Sequence, residues 1–597
     1  MEKAETKTPR DATGTLPQWD LADLYPGPNS PALAADFAEA RQAAEAFEKQ
    51  YKDRLAKLDS ASFGRAIADY ERLDERLGRI LSFAGLYHAT RLLESEAGRF
   101  YQSAQEQVTD ISAHTLFFTL EINRLDDAVL ERLLESPAAA HYAPWIRDLR
   151  IFRPHQLSDE VEHILHDKAV AGRMAWIRLF DQTLASLRFP VSGRDLTAAE
   201  VFHLLSDGEE RVRRMAAESI SAVLATNIRL LAHITNTLAK DKAIEDRWRR
   251  YPASTSARNL SNRVEDDVVD ALVKAVRQSY PRLSHRYYRL KAGWLGKARL
   301  EYWDRNAPLP GADDRVIPWS EACTLVGQSY TAFSPDLGAL AKRFFERPWI
   351  DAAVTPGKES GAFSHPTVPS AHPYILLNYQ GKARDVMTLA HELGHGVHQL
   401  LAARQGQLMA DTPLTLAETA SVFGEMLTFR ALLGAEKDPV RRRILLANKI
   451  EDMLNTVVRQ VAFYEFERRV HEERKNAELG PEKLGEIWLD VQRESLGPSI
   501  NLGRGYEVYW SYIPHFVHSP FYVYAYAFGD CLVNSLYSVY REGRAGFDRL
   551  YLDMLAAGGS KRHRELLAPF GLDASDPRFW LRGLDVIGEF IDQLENT

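Results

Sequence analysis

Residues 385–401 read DVMTLAHELGHGVHQLL, and this run of the 597-residue chain carries the strongest signal for its fold and chemistry. Its apolar side chains can cover one buried face of a helix. They are Met387, Leu389, Ala390, Leu393, Val397, Leu400 and Leu401. Asp385 is the candidate N-cap. Gly394 and Gly396 each cost roughly 1 kcal/mol relative to alanine in a helix interior, so a helix that keeps both needs close backbone approach or room for a substrate.

The pentapeptide His391–His395, HELGH, is an H-E-x-x-H motif within this predicted helix. Residues four apart share a helix face, so the two histidine rings can hold one Zn²⁺ while Glu392 points at the open side of the metal. Zinc lowers the pKa of a bound water towards about 7, and a neighbouring carboxylate can take its proton during attack on a carbonyl. The motif therefore predicts a metal, Zn²⁺, a nucleophile, the bound water, and a general base, Glu392.

Length and composition indicate a soluble protein with two or more lobes, because the chain is long for one compact core. Hydrophobic residues make up 45% and charged residues 26%, which is ordinary for a globular protein. The net charge of −8 argues against nucleic acid or an anionic membrane as the main partner. With Cys323 and Cys531 as the only cysteines, a zinc site must use histidines and carboxylates. A polar N-terminus over residues 1–17 and no long apolar run predict a cytoplasmic protein without a transmembrane helix.

Helical patterning dominates the chain, and two segments depart from it. The predicted helices cover roughly 31–58, 62–95, 97–122, 127–136, 158–186 and 208–246. Residues 189–194 (FPVSGR) predict a boundary between an N-terminal helical lobe, 1–190, and a catalytic domain, 191–597. Residues 299–303 and 374–378 read as short strands. The second strand precedes the motif helix and serves either as an edge for an extended peptide or as part of a small sheet that braces the helix.

A catalytic zinc usually keeps three protein ligands, so two histidines need a third. The next helical run, residues 415–427, reads TLAETASVFGEML. Glu418 lies among small residues that would let this helix pack closely beside another, and we favour it as the ligand. The alternative is a capping box formed by Thr415 and Glu418. Glu425, seven residues on, is the candidate acceptor for the other N–H of a zinc histidine, with a ligand role as its minority alternative.

The HELGH motif, followed 23 residues after His395 by Glu418 in Ala-Glu-Thr-Ala-Ser, resembles the zinc peptidases of the oligoendopeptidase F and thimet oligopeptidase family. Residues 19–25 (WDLADLY) and 373–379 (PYILLNY) resemble segments of the oligoendopeptidase F branch, and His398 extends the motif as that family does. The resemblance covers nearly the whole chain. It implies a mainly α fold: a two-lobed helical ellipsoid with a deep central channel and zinc at its floor. It also implies cleavage of short unstructured peptides and exclusion of folded proteins.

The segment 515–528 (HFVHSPFYVYAYAF) is a second cluster of side chains that could take part in catalysis, with histidines and tyrosines close together. Peptide hydrolysis develops an oxyanion, which phenol or imidazole donors can stabilise. On residues alone, an aromatic core helix capped by Ser519 is an equally good interpretation. The resemblance implies a histidine and tyrosines over the zinc from this part of the chain, with His515 and Tyr524 as the best matches and Tyr522 next. The segment lacks the Gly-rich run of the thimet-type pattern, so His518 is a candidate substitute for the usual tyrosine.

These observations favour a zinc-dependent oligoendopeptidase with one Zn²⁺ per chain, held by His391, His395 and Glu418. Glu392 is the predicted general base, and the oxyanion donors are predicted in segment 515–528. Two alternatives stay open. A metallocarboxypeptidase would need a basic group to grip a free C-terminal carboxylate. A peptide-binding protein with a structural zinc would need a closed site with four ligands.

Overall fold

The structure is a computed structural model, and it describes residues 13–311 and 315–597. Residues 1–12 of the polar N-terminal stretch lie outside this described part. Helices dominate, and every strand in the described part is two or three residues long. The prediction of a mainly helical fold with a small sheet is therefore confirmed.

The helices are labelled in chain order. The first nine are α1 (Pro31–Tyr51), α2 (Ser60–Ala89), α3 (Ser95–Ala113), α4 (Leu116–Arg124), α5 (Asp127–Leu133), α6 (Pro137–Ala140), α7 (Ala143–Leu149), α8 (Asp159–Ala169) and α9 (Arg173–Ser186). The next nine are α10 (Ala198–His203), α11 (Glu210–Trp248), α12 (Ser256–Ser261), α13 (Asp266–Ser279), α14 (Ser284–Trp294), α15 (Trp319–Phe333), α16 (Pro335–Glu346), α17 (Ala383–Ala402) and α18 (Leu414–Ala435). The last eight are α19 (Pro439–Thr456), α20 (Val458–Arg474), α21 (Pro481–Leu496), α22 (His515–His518), α23 (Tyr524–Arg541), α24 (Phe547–Leu555), α25 (His563–Leu567) and α26 (Pro577–Glu595).

The strands form three small sheets. They are β1 (Phe189–Val191), β2 (Arg194–Leu196), β3 (Leu300–Glu301), β4 (Ile350–Asp351), β5 (Phe363–His365), β6 (Tyr374–Leu376) and β7 (Ile500–Asn501). β1 and β2 form an antiparallel hairpin, and β3 pairs in parallel with β7. The third sheet has the order β4-β6-β5, in which β6 runs parallel to β4 and antiparallel to β5.

Short-range signals in the sequence explain several helix boundaries. Ser30 accepts a hydrogen bond from the N–H of Leu33, and Pro31 occupies the first position of α1. The run predicted over 158–186 is divided into α8 and α9 near Gly172, whose φ and ψ of −98° and −115° are not helical. The sequence does not reveal this break, because the residues on both sides of it have helical periodicity.

The first of two compact units combines Met1–Arg153, Asp314–Ala435 and Glu542–Gly571. One of its cores is aromatic: Phe47 packs against Phe118 with ring centroids 5.1 Å apart, and Tyr70 packs against the same Phe118. The three-stranded sheet belongs to this unit, and α17 packs against β5, β6 and α18. This unit therefore holds the HELGH helix together with the sheet that braces it.

The second unit combines Pro154–Asp313, Glu436–Arg541 and Leu572–Thr597. Its longest helix, α11, packs against α20, α21, β1 and a 3₁₀ segment at Tyr506–Tyr512. The C-terminal helix α26 packs against α13, α19 and α23. The segment 515–528 belongs to this unit.

Helix α11 is the one helix in the described part that is long and apolar enough to cross a membrane, with 44% of its most apolar window buried. The core helix of a soluble protein passes the same test, so a single such helix is weak evidence for a membrane span. Residues 189–194, where a domain boundary is predicted, form the β1–β2 hairpin. That boundary stays a prediction, as do the ellipsoidal shape and the channel.

Candidate metal centre

The HELGH motif lies within α17, which begins at Ala383 rather than after Asp385. Asp385 is the third residue of the helix, so its prediction as N-cap is wrong. Its carboxylate accepts hydrogen bonds from the backbone N–H groups of Gln380 and Lys382, at 2.9 and 3.0 Å. The acidic side chain still stabilises the helix start, because it pairs N–H groups just before the first turn and lies at the positive end of the helix dipole.

Helix α18 approaches α17 closely enough to need glycine at the contact. A Cβ on Gly394 would lie 2.5 Å from the carbonyl oxygen of Ala420 and 2.6 Å from Cα of Ser421. On α18, Gly424 leaves room for the ring of Tyr330, whose hydroxyl donates to the carbonyl of Ala390 at 2.7 Å. The expectation that a glycine in the motif reflects close backbone approach is confirmed at Gly394. This approach sets α18 directly over the motif.

Three potential ligand atoms converge between the two helices. Nε2 of His391 lies 3.3 Å and Nε2 of His395 lies 3.5 Å from Oε2 of Glu418, and all three atoms lie within 4.8 Å of one another. Ligands at about 2.0–2.1 Å from a tetrahedral zinc are separated by about 3.3–3.4 Å, so these two separations suit zinc. Two imidazoles and one carboxylate are also the donor set of a catalytic zinc with an open position. The residues present therefore fit the metal.

Further contacts orient these three side chains. Oε2 of Glu425 lies 3.3 Å from Nδ1 of His391, and the hydroxyl of Ser421 donates to Oε2 of Glu418 at 2.7 Å. A carboxylate on the far nitrogen of a ligand histidine fixes the tautomer that presents Nε2. Thr415 lies inside α18, which begins at Leu414, so it is not the N-cap that a capping box with Glu418 requires.

Burial and neighbouring charges shift the pKa values of the motif side chains. Glu392 is 7% exposed, and this burial raises the pKa of its carboxyl to about 7, although the nearby His391 and a hydrogen bond from the backbone of Ser364 oppose the shift. Burial lowers the pKa of His391, but the Glu425 hydrogen bond and the charges of Glu418 and Glu392 outweigh it and raise the value to about 9. Burial and the neighbouring His391 lower the pKa of His395 to about 4. Burial therefore makes the Glu392 carboxylate a stronger base than an exposed glutamate.

The strand before α17 is not an edge. β6 lies in the middle of its sheet, so of the two alternatives for residues 374–378 the structure has the one in which the strand braces the motif helix, not the one in which it offers an edge. The carbonyl of Pro17 accepts a hydrogen bond from the N–H of Ala352, and the carbonyl of Pro348 accepts one from the N–H of Asp20. These segments cover the side of β4 away from β6. β5 is the strand at the other edge, and it borders the motif helix. The sequence carries no signal for β5, because three residues show no measurable alternation.

Ser364 in β5 is tied to the motif helix through backbone and side chain. Its carbonyl accepts from Nε2 of Gln399 at 3.2 Å, and its hydroxyl donates to Oε1 of the same residue at 2.9 Å. Its backbone also contributes a hydrogen bond that lowers the pKa of Glu392. The strand therefore positions the general-base candidate directly.

In the second unit, the structure places His515 with two tyrosines, and Tyr524 is not one of them. Nε2 of His515 lies 3.4 Å from the hydroxyl of Tyr526, and its ring stacks on Tyr522 with centroids 6.3 Å apart. Tyr524 is fully buried, and its hydroxyl accepts from the amide of Asn262 at 3.0 Å. This burial favours Tyr526 over Tyr524 as the donor, and the role of either residue stays a prediction. Tyr526, which sequence analysis missed, was signalled only by its four-residue spacing from Tyr522.

One further expectation for this segment is wrong, and the role expected for His518 stays a prediction. α23 begins at Tyr524, so a helix capped by Ser519 does not form; Ser519 follows the short helix α22. His518 lies on an exposed surface, where its Nε2 donates a hydrogen bond to Oδ1 of Asp181 at 2.8 Å. Gly505 has a φ of +99°, which only glycine adopts readily, at the start of the Tyr506–Tyr512 segment.

Comparisons with known proteins show what the chain is similar to in sequence and in fold. Residues 328–586 match the family model described as Peptidase family M3, and residues 121–189 match the model described as Oligopeptidase F. Oligopeptidase PepF of Bacillus subtilis is 26% identical over 609 aligned residues, which cover 100% of this chain and 89% of that protein. The crystal structure of a candidate peptidase from Chlamydophila abortus superposes with a TM-score of 0.87 at 23% identity and covers 99% of both chains. Oligoendopeptidase-F from Enterococcus faecium superposes with a TM-score of 0.70 at 22% identity, covering 95% of this chain and 98% of that one.

Proposed function

We propose that this chain, which belongs to peptidase family M3, is a zinc-dependent endopeptidase that hydrolyses short unstructured peptides. Membership of the family makes it a metallopeptidase. The zinc, the endopeptidase mode and the short substrates are the proposal. The observation that carries it is the convergence of His391, His395 and Glu418, with ligand separations that suit zinc.

Nε2 of each histidine and the carboxylate of Glu418 would hold the metal. When bound there, zinc would lower the pKa of a water and polarise the scissile carbonyl. Glu425 keeps the His391 ring turned so that Nε2 faces the site, because its carboxylate lies against Nδ1. Ser421 restrains Glu418 in the same way. The ligands are therefore held in place before any metal or substrate arrives.

Glu392 is the proposed general base, and it later delivers the proton to the leaving amine. A carboxyl whose pKa is raised to about 7 can both accept and return a proton near neutral pH. Its burial against β5 limits the access of bulk water to the carboxylate. His515, Tyr522 and Tyr526 are the proposed oxyanion donors, supported by their mutual contacts and by the family resemblance of their segment.

An extended peptide is proposed to lie along β5. β5 has β6 on one side, and its Phe363–His365 backbone lies beside the motif helix. Backbone pairing with such a strand selects extended chains with little regard to side chains. A folded protein cannot present its backbone in this way, which supports a preference for unstructured peptides.

The decisive experiment measures turnover of a quenched-fluorescent peptide with and without a chelator, followed by addition of zinc. Glu392→Gln should retain zinc and lose turnover, because it removes the base and leaves all three ligands. Glu346→Gln, at an exposed ion pair with Lys342 on α16, is the matched control and should behave as wild type. Near-normal turnover by a zinc-loaded Glu392→Gln protein would contradict the mechanism.

Two peptide series test the mode of cleavage. Peptides blocked at both ends should be cleaved, whereas a carboxypeptidase would require a free C-terminus. In a length series that shares one cleavage site, rates should fall for long unfolded chains. Rates that stay level up to full-length unfolded protein would contradict the preference for short peptides.

A further inference from the structure

A cavity of about 270 Å³ lies within the second unit, apart from the HELGH helix, and the reaction described above does not use it. Its lining residues are Phe202, Leu205, Tyr302, Trp303, Arg305, Asn306, Arg459, Phe463, Trp488, Tyr506, Tyr509 and Tyr512. Aromatic rings therefore form most of its wall, and two arginines enter it. Pockets for drug-sized ligands span roughly 300–1,000 Å³, so this one suits a smaller body such as one amino-acid residue.

The aromatic wall is fixed by contacts made outside the cavity. The hydroxyl of Tyr509 donates to the carbonyl of Ala217 at 3.3 Å, and that of Tyr506 donates to Oε1 of Gln492 at 3.2 Å. The hydroxyl of Tyr302 lies 3.3 Å from Oγ of Ser221. These three rings are buried. The cavity is therefore a preformed apolar surface rather than a gap that side chains could close.

The arginines and tryptophans that line the cavity are hydrogen-bond donors. Nε of Arg459 and the indole N–H groups of Trp303 and Trp488 are buried behind the wall and have no hydrogen-bond partner in the described part of the chain. Nε of Arg305 makes one long contact, 3.4 Å, with Oδ1 of Asn306. The other N–H groups of the two guanidiniums are the donors that a ligand in the cavity would meet, so the lining calls for a ligand that accepts hydrogen bonds.

The two arginine charges in the cavity are not paired with a carboxylate. Neither Arg305 nor Arg459 forms an ion pair with any residue that the structure describes. Glu451, the carboxylate that acts on Arg305, is already engaged by Lys291 and by the hydroxyl of Tyr287. The ring of Phe463 lies under the Arg459 guanidinium at 5.0 Å, which attracts the cation without neutralising it. Partly buried cations without a counter-ion favour an anion as the ligand.

The cavity wall reaches the segment that carries His515. The rings of Phe463 and Phe516 pack with centroids 5.5 Å apart, and Phe516 is the residue next to His515. Burial lowers the pKa of His515, and the positive charge of Arg459 lowers it further. A ligand that neutralises Arg459 therefore acts next to a proposed oxyanion donor.

We propose that this cavity binds a carboxylate of the peptide, seated between the guanidiniums of Arg305 and Arg459. The side chain of the residue that carries this carboxylate, or of the neighbouring residue, packs against the aromatic wall. The arginine fork matches a carboxylate with two parallel hydrogen bonds. The carboxylate comes from a free C-terminus or from an aspartate or glutamate side chain. This inference rests on the proposed peptidase function and names a substrate feature that the metal centre does not select.

The test measures binding rather than cleavage, so it is independent of turnover. Three peptides of one sequence, N-methylated at the scissile bond to prevent hydrolysis, are titrated calorimetrically into the zinc-loaded full-length protein. One ends in a free acid, one ends in an amide, and one ends in an amide but carries glutamate in place of a glutamine. At least one carboxylate peptide should bind roughly 10- to 100-fold more tightly than the uncharged amide, as expected for a charge-assisted hydrogen-bonded pair. Which of the two does so identifies the source of the carboxylate.

Arg459→Gln should bring that affinity ratio close to one, and Arg305→Gln should lower it as a second variant. Arg493→Gln removes an exposed arginine that pairs with Asp490 on the same unit, so it should keep the wild-type ratio. A wild-type ratio near one, or an unchanged ratio in both cavity variants, would overturn the proposal. A carboxylate bound at the zinc instead would leave the ratio insensitive to both arginines. Absence of turnover with ordinary peptides would overturn the peptidase function and leave this readout intact.

Discussion

Replacing Gly394 by alanine tests whether the close approach of two helices builds the metal centre. The new Cβ would lie 2.5 Å from the Ala420 carbonyl oxygen, whereas ordinary contact begins at 3.4 Å. α17 and α18 must therefore separate by about 0.9 Å, because the obstructing atoms are backbone and cannot rotate away. Zinc-ligand distances tolerate only about 0.2 Å. Glu418 on α18 would then be drawn away from the two histidines on α17.

We expect Gly394→Ala to weaken zinc binding at least about 10-fold while the protein stays folded. Overpacking costs about 1–3 kcal/mol, and alanine returns up to about 1 kcal/mol of helix propensity, so the change in the free energy of unfolding is small. The assays are zinc affinity by competition with a chelating dye and thermal unfolding of the metal-free protein. Loss of zinc without loss of fold is the expected signature.

Gly434→Ala is the control on the partner helix α18, since a Cβ there meets nothing within 4 Å. It should leave zinc affinity unchanged and stabilise the protein by at most about 1 kcal/mol. A folded Gly394→Ala protein whose zinc affinity lies within twofold of wild type would refute the reasoning. The contact between α17 and α18 would then not control the ligand geometry.

Three further outcomes follow from the same contacts. Glu425→Ala should weaken zinc binding about 10- to 100-fold and Glu418→Ala should weaken it more; the reverse order, measured by metal content, would exchange their roles. Tyr526→Phe should lower kcat about 10²- to 10³-fold at constant KM, whereas Tyr524→Phe should cost about 1 kcal/mol of stability with kcat unchanged; a kcat loss confined to Tyr524→Phe would restore that residue as the donor. Burial raises the pKa of Glu467 to about 8, so the folded protein holds this proton more tightly than the unfolded chain, and stability should fall as pH rises from about 4.5 to about 8. Glu467→Gln should flatten that part of the profile of unfolding free energy against pH, by up to about 4 kcal/mol at pH 8; an unchanged profile would show that this carboxyl ionises normally.

The zinc motif could be recognised from the sequence because its information is local. The spacing of His391 and His395 places both rings on one helix face, whatever the rest of the chain does. Gly394 signalled a close contact for a similar reason, since a helix keeps an unfavourable residue only where something else occupies the space. The choice of Glu418 over Glu425 was favoured by neighbouring small residues, which report on packing. The family was recognised correctly from these same residues and the segments around them.

Other features depended on contacts between distant segments, and the sequence had no local signal for them. β6 reads as a strand in isolation, but only its partners β4 and β5 make it central rather than an edge. Tyr522, Tyr524 and Tyr526 are equally aromatic in sequence, and the amide of Asn262, 262 positions away from Tyr524, decides which one is buried. The cavity around Arg305 and Arg459 joins residues from five separate stretches of one unit. Periodicity along a chain determines which side chains share a face, whereas the identity of what that face meets is set by tertiary packing.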